Sequence, residues 1–123
     1  MKKITIVEDD YAILDMYKLK FEHSNFEVTT AVNGLEGLEV IEREKPDIVL
    51  LDIRMPLMSG DEMLRDLRAT DWGKDIPVIV LTNISRDEAP RTLWHLNVSD
   101  YIVKASSTPQ MILEKVEKTL EIN

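Results

Sequence analysis

The sequence contains no cysteine, so disulfide bonds, thiolate metal sites and cysteine nucleophiles are all excluded. It also has no long hydrophobic stretch. The apolar run at residues 4–7 ends at Glu8 and is far too short for the hydrophobic region of a signal peptide. No later segment has the length of a membrane span. We therefore expect a soluble, cytoplasmic protein that does not contact a membrane.

The chain has fewer basic than acidic residues: 15 Lys and Arg and 23 Asp and Glu give a formal net charge of -8. Direct nucleic-acid binding would need clustered Lys and Arg to neutralise phosphates, so we do not expect it. An acidic chain is compatible with binding a divalent cation. With 123 residues and 44% hydrophobic content, the chain fits one domain with one core, and we assign residues 1–123 to it.

Short apolar runs alternate with amphipathic segments along the whole chain. Continuous apolar runs of this length suit strands that are covered on both faces, whereas alternation of apolar and polar residues suits a strand at a sheet edge. Continuous runs occupy residues 48–51, 78–81 and 101–103, a short apolar run interrupted by Thr5 occupies residues 4–7, and the alternating run occupies residues 26–30. The pattern predicts five strands, with the second strand at an edge.

Five helices are predicted between and after these strands. The first, second and fifth begin at polar residues or proline suited to a helix start, and the first, second, third and fifth present apolar residues at helical spacing. The predicted segments run from Asp10 to Phe21, from Asn33 to Lys45, from the Pro56/Gly60 loop through Met63, Leu64 and Leu67 to Asp71-Trp72-Gly73, from Ser85 to Leu96 with Pro90 in its first turns, and from Ser107 to Leu120. Regular alternation of strands and helices favours right-handed crossovers and a doubly wound parallel α/β sheet.

Polar residues stand where four of the predicted strands end. The first strand is followed by Glu8 and Asp9, the third by Asp52, the fourth ends at Thr82 and the fifth at Lys104. Because the carboxyl ends of parallel strands share one edge, these side chains should meet in one cleft. Two carboxylates roughly 5 Å apart repel by on the order of 3 kcal/mol at an effective dielectric near 20, so a cation should lie among them. Hard oxygen ligands indicate Mg²⁺.

Asp52 is the best candidate for a nucleophile, because a carboxylate can take up a phosphoryl group as an acyl phosphate. The Thr82 hydroxyl and the Lys104 ammonium would then hold two phosphoryl oxygens. The metal would be available to screen the phosphoryl charge.

Four motifs occur in order along the chain: Val7-Glu8-Asp9-Asp10, Leu51-Asp52-Ile53-Arg54-Met55-Pro56 with Ser59-Gly60, Val80-Leu81-Thr82, and Asp100-Tyr101-Ile102-Val103-Lys104. Together they resemble the receiver domain of two-component response regulators, and the resemblance runs from about Lys3 to Leu120. It implies a flavodoxin-like sheet of order 2-1-3-4-5 with five helices. It also implies that a sensor histidine kinase or a phosphotransfer protein donates a phosphoryl group to Asp52.

The resemblance also implies roles for individual residues. The Mg²⁺ ligands would be Asp9, Asp52 and the backbone carbonyl of Arg54, and Glu8 would reach the ion mostly through water. Thr82 and Tyr101 would form a switch pair. On phosphorylation Thr82 would move toward the phosphoryl group and Tyr101 would rotate inward.

That rotation would change the face made by the fourth predicted helix, the fifth strand and the fifth predicted helix. The same face is available for a homodimer. The output would be a downstream protein target or an output domain that the sequence does not contain. We expect a signalling protein that takes part in its own phosphorylation and dephosphorylation and is not otherwise an enzyme.

Three positions depart from the family pattern: Asn83 replaces a small residue, Ala105 replaces proline, and Asn97-Val98 replaces a glycine-containing connection. We expect a trans peptide bond before Ala105, because a cis bond there would cost roughly 2.5 to 4 kcal/mol. Asn97 tolerates the left-handed conformation, so that change is mild.

Three alternative functions remain to be weighed. Asn83 and Ala105 make a pseudo-receiver, a protein-interaction module that takes no phosphate, the main alternative. A haloacid-dehalogenase-type phosphatase would need a second acid where Arg54 stands, and the chain has no room for a cap domain. A nucleotide or flavin binder would need a glycine-rich fingerprint after the first strand, where acids stand instead.

Two further side chains carry predictions. Asp10 should cap the first helix and not bind metal directly. Trp94 should either pack in the core from the fourth predicted helix or enlarge an apolar contact patch near Tyr101.

Overall fold

The computed structural model describes residues 1–121. Five parallel strands form one sheet with the order β2-β1-β3-β4-β5, as predicted. The second strand lies at an edge, which the alternating pattern had indicated. The strands are β1 (Lys2–Val7), β2 (Phe26–Ala31), β3 (Ile48–Leu51), β4 (Val78–Thr82) and β5 (Asp100–Val103).

Four α-helices connect or follow the strands in residues 1–121: α1 (Tyr11–His23), α2 (Gly34–Glu44), α3 (Gly60–Arg68) and α4 (Pro109–Thr119). Three of these helices start at capping side chains that accept hydrogen bonds from backbone amides of the first turn. Asp10 caps α1, Asn33 caps α2 and Thr108 caps α4. The predicted capping role of Asp10 is confirmed. Within the described residues, no helix is long and apolar enough to cross a membrane.

The predicted helix from Ser85 to Leu96 is wrong as an α-helix. The chain forms two short 3₁₀ segments there, Arg86–Glu88 and Arg91–His95. Ala89 between them is extended, with φ -66° and ψ 147°. The physical reason is Pro90, because a proline ring disfavours the helical conformation of the preceding residue and removes a backbone donor.

The third helix ends earlier than predicted, at Arg68 and before Asp71. The Thr70 hydroxyl donates to the carbonyl of Leu67 at 2.7 Å and accepts from the amide of Gly73 at 2.8 Å, so side-chain hydrogen bonds replace a further helical turn.

The core consists of two apolar layers, one on each face of the sheet. One layer packs α1 and α4 against the sheet, and the other packs α2 and α3. Successive residues of β3 alternate between them: Ile48 and Leu50 face the first layer, whereas Val49 and Leu51 face the second. Because β3 is buried on both faces, its sequence is a continuous aliphatic run.

The strand register sets the position of the polar edge. Val7 pairs with Leu51, and Leu51 pairs with Val80. The residues that follow β1 and β3 therefore emerge side by side, and the amide of Asp52 donates to the carbonyl of Val7 at 3.0 Å.

Candidate functional site

Three acidic side chains meet at the carboxyl edge of the sheet, as the strand ends predicted. Carboxylate oxygens of Glu8, Asp9 and Asp52 all lie within 4.8 Å of one another. Glu8 and Asp52 are buried, whereas Asp9 is exposed. Three hard oxygen donors with one side open to solvent fit an ion that keeps some of its waters, as Mg²⁺ does.

Lys104 reaches into this cluster from the end of β5. Its ammonium contacts the Glu8 carboxylate and donates to Oδ2 of Asp52 at 3.0 Å. One cation therefore pairs with two of the three acids. The sequence placed Lys104 in the same cleft as these acids, as one counter-charge and near the phosphoryl group; the structure adds that Lys104 bridges the two buried carboxylates.

Burial and neighbouring charges both shift the pKa values of Glu8 and Lys104. Burial raises the pKa of Glu8 from 4.5 to about 7, the hydrogen bond from Lys104 opposes this rise, and the neighbouring charge of Asp52 adds to it. For Lys104, burial lowers the pKa, but the hydrogen bond to Glu8 and the charge of Asp52 outweigh burial, so the pKa lies above its usual value. Lys104 thus stays charged at neutral pH.

The loop after β3 holds Asp52 in place. The Oδ1 atom of Asp52 accepts from the amide of Ile53 at 2.7 Å. The amide of Gly60 donates to the carbonyl of Ile53 at 2.7 Å, and a Cβ atom at position 60 would overlap the carbonyl oxygen of Asp52. Only glycine permits this close approach of α3 to the strand end.

A cavity of about 270 Å³ lies over Asp52. The volume of liquid water is about 30 Å³ per molecule, so a phosphoryl group and several waters can be accommodated. Thr82, which lines this cavity, is almost fully buried. The side chains that line the cavity belong to Asp52, Arg54, Thr82, Asn83, Ile84, Glu88 and Lys104. Arg54 therefore lies at the site, although the role of its backbone carbonyl stays a prediction.

Tyr101 lies inside the protein next to the segment that follows Thr82. Its hydroxyl donates to the carbonyl of Ile84 at 2.5 Å, and burial raises its pKa. The Trp94 ring lies 5.4 Å from the Tyr101 ring, and the Arg86 guanidinium carbon lies 5.4 Å and 5.5 Å from the two ring centres. Trp94 is 43% exposed, so it belongs to a surface patch beside Tyr101 and not to the core.

The three departures from the family pattern occupy defined positions. Asn83 is exposed and lines the cavity. No cis peptide bond occurs in residues 1–121, so the bond before Ala105 is trans, as expected. Asn97 has a φ of 55°, which confirms the left-handed conformation.

Sequence reasoning missed Glu88 at the cavity wall. The spacing of Ser85 and Glu88 matches a capping box, which could have placed the Glu88 side chain next to Ser85. That pattern carries no information about the cavity, because the wall forms only once the 83–96 segment folds against the sheet edge.

Comparison with known proteins identifies relatives of this chain. The family model "Response regulator receiver domain" matches residues 4–117. Response regulator MprA of Mycobacterium leprae is 32% identical over 112 residues, which cover 89% of this chain and 47% of MprA. The DNA-binding dual master transcriptional regulator RpaA of Synechocystis is 29% identical over 91% of this chain and 46% of RpaA. The chain therefore spans less than half the length of these relatives.

Solved structures agree in fold. A CheY-like receiver domain from Methanospirillum hungatei superposes with a TM-score of 0.90 at 33% identity, over 98% of this chain and 94% of the other. The response regulator TrrA of Thermotoga maritima, solved in complex with Mg²⁺ and BeF, gives a TM-score of 0.85 at 34% identity, over 97% and 99% of the two chains. The family match, the fold and the acidic pocket together establish that this chain belongs to the response regulator receiver domains of two-component systems.

Proposed function

We propose that this protein accepts a phosphoryl group on Asp52 from a sensor histidine kinase or a phosphotransfer protein, in a Mg²⁺-dependent reaction. The observation that carries the proposal is the Asp52 carboxylate itself. It is buried, fixed by the Ile53 amide and by Lys104, and it faces a cavity large enough for a phosphoryl group.

The acids at the sheet edge would hold the metal. Asp9 and Asp52 supply carboxylate oxygens, Glu8 lies close by, and the carbonyl of Arg54 is a further candidate. A bound Mg²⁺ would screen the negative charge of the incoming phosphoryl group. The complex of TrrA with Mg²⁺ and BeF supports this choice of ion.

The chain's own residues would carry the transfer. An oxygen of the Asp52 carboxylate attacks phosphorus, the bond from phosphorus to the donor imidazole breaks, and the electron pair returns to the imidazole nitrogen. The Thr82 hydroxyl donates to one phosphoryl oxygen, and Lys104 neutralises another. The protein thereby acts on itself and is not an enzyme for a separate substrate.

The output would run through the segment that follows Thr82. The Ile84 amide lies 3.5 Å from the Thr82 hydroxyl, and the Ile84 carbonyl accepts from Tyr101. If Thr82 moves toward the phosphoryl group, the contacts that hold Tyr101 change, and so does the patch around Trp94. Phosphorylation would then shift the population of two arrangements.

The partner would bind the patch around Trp94. A downstream protein, an attached output domain or a second copy of the chain could dock on the face made by the 86–95 segment, β5 and α4. We expect no direct nucleic-acid contact from this acidic chain itself.

The pseudo-receiver remains the second candidate because of Asn83, which lies at the cavity wall where the family has a small residue. Incubation with a small phosphodonor and Mg²⁺, followed by intact-mass measurement, separates the two. The phosphoacceptor proposal predicts a mass gain of one phosphoryl group in the native protein. The absence of any gain, with a small donor and with a phosphorylated histidine kinase alike, would favour the pseudo-receiver.

The acceptor itself is tested by Asp52→Asn, which should abolish the mass gain, because an amide cannot form the acyl phosphate. Asp71→Asn serves as a matched control, since Asp71 is exposed and away from the cavity. A gain that survives Asp52→Asn would move the acceptor to another residue.

A further inference from the structure

Glu88, an acidic residue, lines the cavity over Asp52. Its position is fixed from Ser85 in two ways: the Ser85 hydroxyl donates to Oε1 of Glu88 at 2.9 Å, and the Glu88 amide donates to the carbonyl of Ser85 at 3.0 Å. Within residues 1–121, no ion pair connects Glu88 to a basic side chain. One carboxylate oxygen is therefore held, and Oε2 is available to another group.

The exposure of the lining residues divides the cavity into an inner and an outer part. Asp52 and Thr82 are buried at the inner end, whereas Asn83 and Glu88 are exposed at the outer end. A phosphoryl group on Asp52 would fill the inner part. A cavity of about 270 Å³ leaves the outer part to water, at about 30 Å³ for each molecule.

We propose that Glu88 is the general base for hydrolysis of the phosphorylated Asp52, and that it sets the lifetime of the phosphorylated state. This inference rests on the proposed phosphorylation of Asp52. A water in the outer cavity attacks phosphorus from the side opposite Asp52, and the phosphorus–oxygen bond to Asp52 breaks, so that its electron pair returns to the Asp52 carboxylate. The water proton passes to Glu88 and then to solvent, and inorganic phosphate leaves.

The test follows the decay of phosphorylated protein after removal of the donor, in buffer with Mg²⁺, by intact mass. In Glu88→Gln the phosphoryl half-life should lengthen by about tenfold or more, because an amide cannot accept the proton. Asp87→Asn is the matched control. It removes the same charge from the adjacent position of the same 3₁₀ segment, but Asp87 does not line the cavity, so its half-life should stay within roughly twofold of the native value.

A second readout separates proton transfer from simple repulsion. If Glu88 accepts the proton in the rate-limiting step, decay of the native protein should slow in heavy water, and Glu88→Gln should lose part of that solvent isotope effect. If Glu88 merely repels a negatively charged nucleophile such as hydroxide, Glu88→Gln would shorten the half-life.

An unchanged or shortened half-life in Glu88→Gln would overturn the inference, provided that the variant gains the phosphoryl mass as the native protein does. A variant that gains no mass while the native protein does would make Glu88 necessary for phosphorylation and would also overturn it. No gain in the native protein would overturn the proposed function, and this inference with it.

Discussion

At the scale of single residues, the Arg68 side chain makes more hydrogen bonds than any other side chain in residues 1–121. Its guanidinium donates to five backbone carbonyls at 2.7 to 3.3 Å, those of Gly73, Lys74, Ile76, Leu96 and Asn97. It thereby ties the end of α3 to the loops before β4 and before β5. The planar guanidinium suits this task, because its five N–H groups point in fixed directions.

Replacement of Arg68 by Met should lower the free energy of unfolding by about 2 to 4 kcal/mol, because partly buried carbonyls lose a charged donor. Arg68→Lys should recover only part of the loss, since one ammonium cannot reach both loops. Urea unfolding measures both effects. Arg65→Met is the control: Arg65 is exposed on the same helix, and its replacement should change stability by no more than about 0.5 kcal/mol. Equal losses for the two arginines would contradict the assignment.

Glu8 should make the stability of the protein depend on pH. Because its pKa is raised from 4.5 to about 7 in the folded state, the folded state binds the proton more tightly than the unfolded chain does. The stabilisation from this group is complete below the unfolded pKa of 4.5 and is lost as the pH rises through about 7.

In metal-free buffer, the urea midpoint of the native protein should therefore fall between about pH 5 and about pH 8, apart from the contributions of other groups. Glu8→Gln should remove this part of the slope, because the amide does not titrate. Glu39→Gln, at an exposed position of α2, should leave the slope as it is in the native protein. A slope that persists in Glu8→Gln would assign it to another group.

Residue-scale prediction from sequence succeeded where position along a strand decides the outcome. Glu8, Asp9, Asp52, Thr82 and Lys104 could be placed at one edge because parallel strands share an edge. Arg68 could not be identified, because its five acceptors are backbone carbonyls in two separate loops, and no side-chain pattern marks them. The roles assigned to the edge residues stay predictions.

At the scale of elements, the 83–96 segment is the part that sequence reasoning described incorrectly. The sequence predicts one helix from Ser85 to Leu96 that tolerates Pro90 in its first turns, and this prediction is wrong. The structure places Pro90 between two 3₁₀ segments, with Ala89 extended before it. Steric exclusion by the proline ring keeps the preceding residue out of the helical conformation.

Pro90→Ala should raise the α-helical content, because Ala89 can then adopt helical angles and the two 3₁₀ segments can join. Far-ultraviolet circular dichroism at the α-helix minimum should become more negative by the contribution of about two to three turns. Pro109→Ala provides the comparison, since Pro109 already stands at the first position of α4, where proline is compatible with a helix. An unchanged spectrum for Pro90→Ala would mean that packing, and not the proline, breaks the segment.

At the scale of the whole molecule, a metal that binds only the folded state must stabilise it. At a Mg²⁺ concentration about one hundred times the dissociation constant, the gain is about 2.7 kcal/mol. Asp9→Asn should reduce the rise in unfolding temperature that Mg²⁺ produces, because it removes one of the three clustered carboxylates. Asp15→Asn, at an exposed position of α1, should leave that rise intact. An equal Mg²⁺ effect in both variants would remove Asp9 from the ligands.

The overall architecture could be predicted because local and global signals agree. Four short apolar runs, one of them interrupted by Thr5, and one alternating run predicted the five strands, and cap residues such as Asp10, Asn33 and Thr108 predicted the helix starts. The shape of the cavity could not be predicted, because it depends on the conformations of the loops after β3 and β4, which line the cavity over Asp52.

The bridge made by Lys104 has a consequence for synthesis of the chain on the ribosome. Glu8 and Asp52 are translated well before Lys104, yet Lys104 is the cation that contacts both. A nascent chain that has exposed β1 and β3 but not β5 therefore holds two neighbouring carboxylates without their internal counter-ion. We expect co-translational folding to finish only when residue 104 has emerged, and free divalent cations in the cell to substitute for it until then.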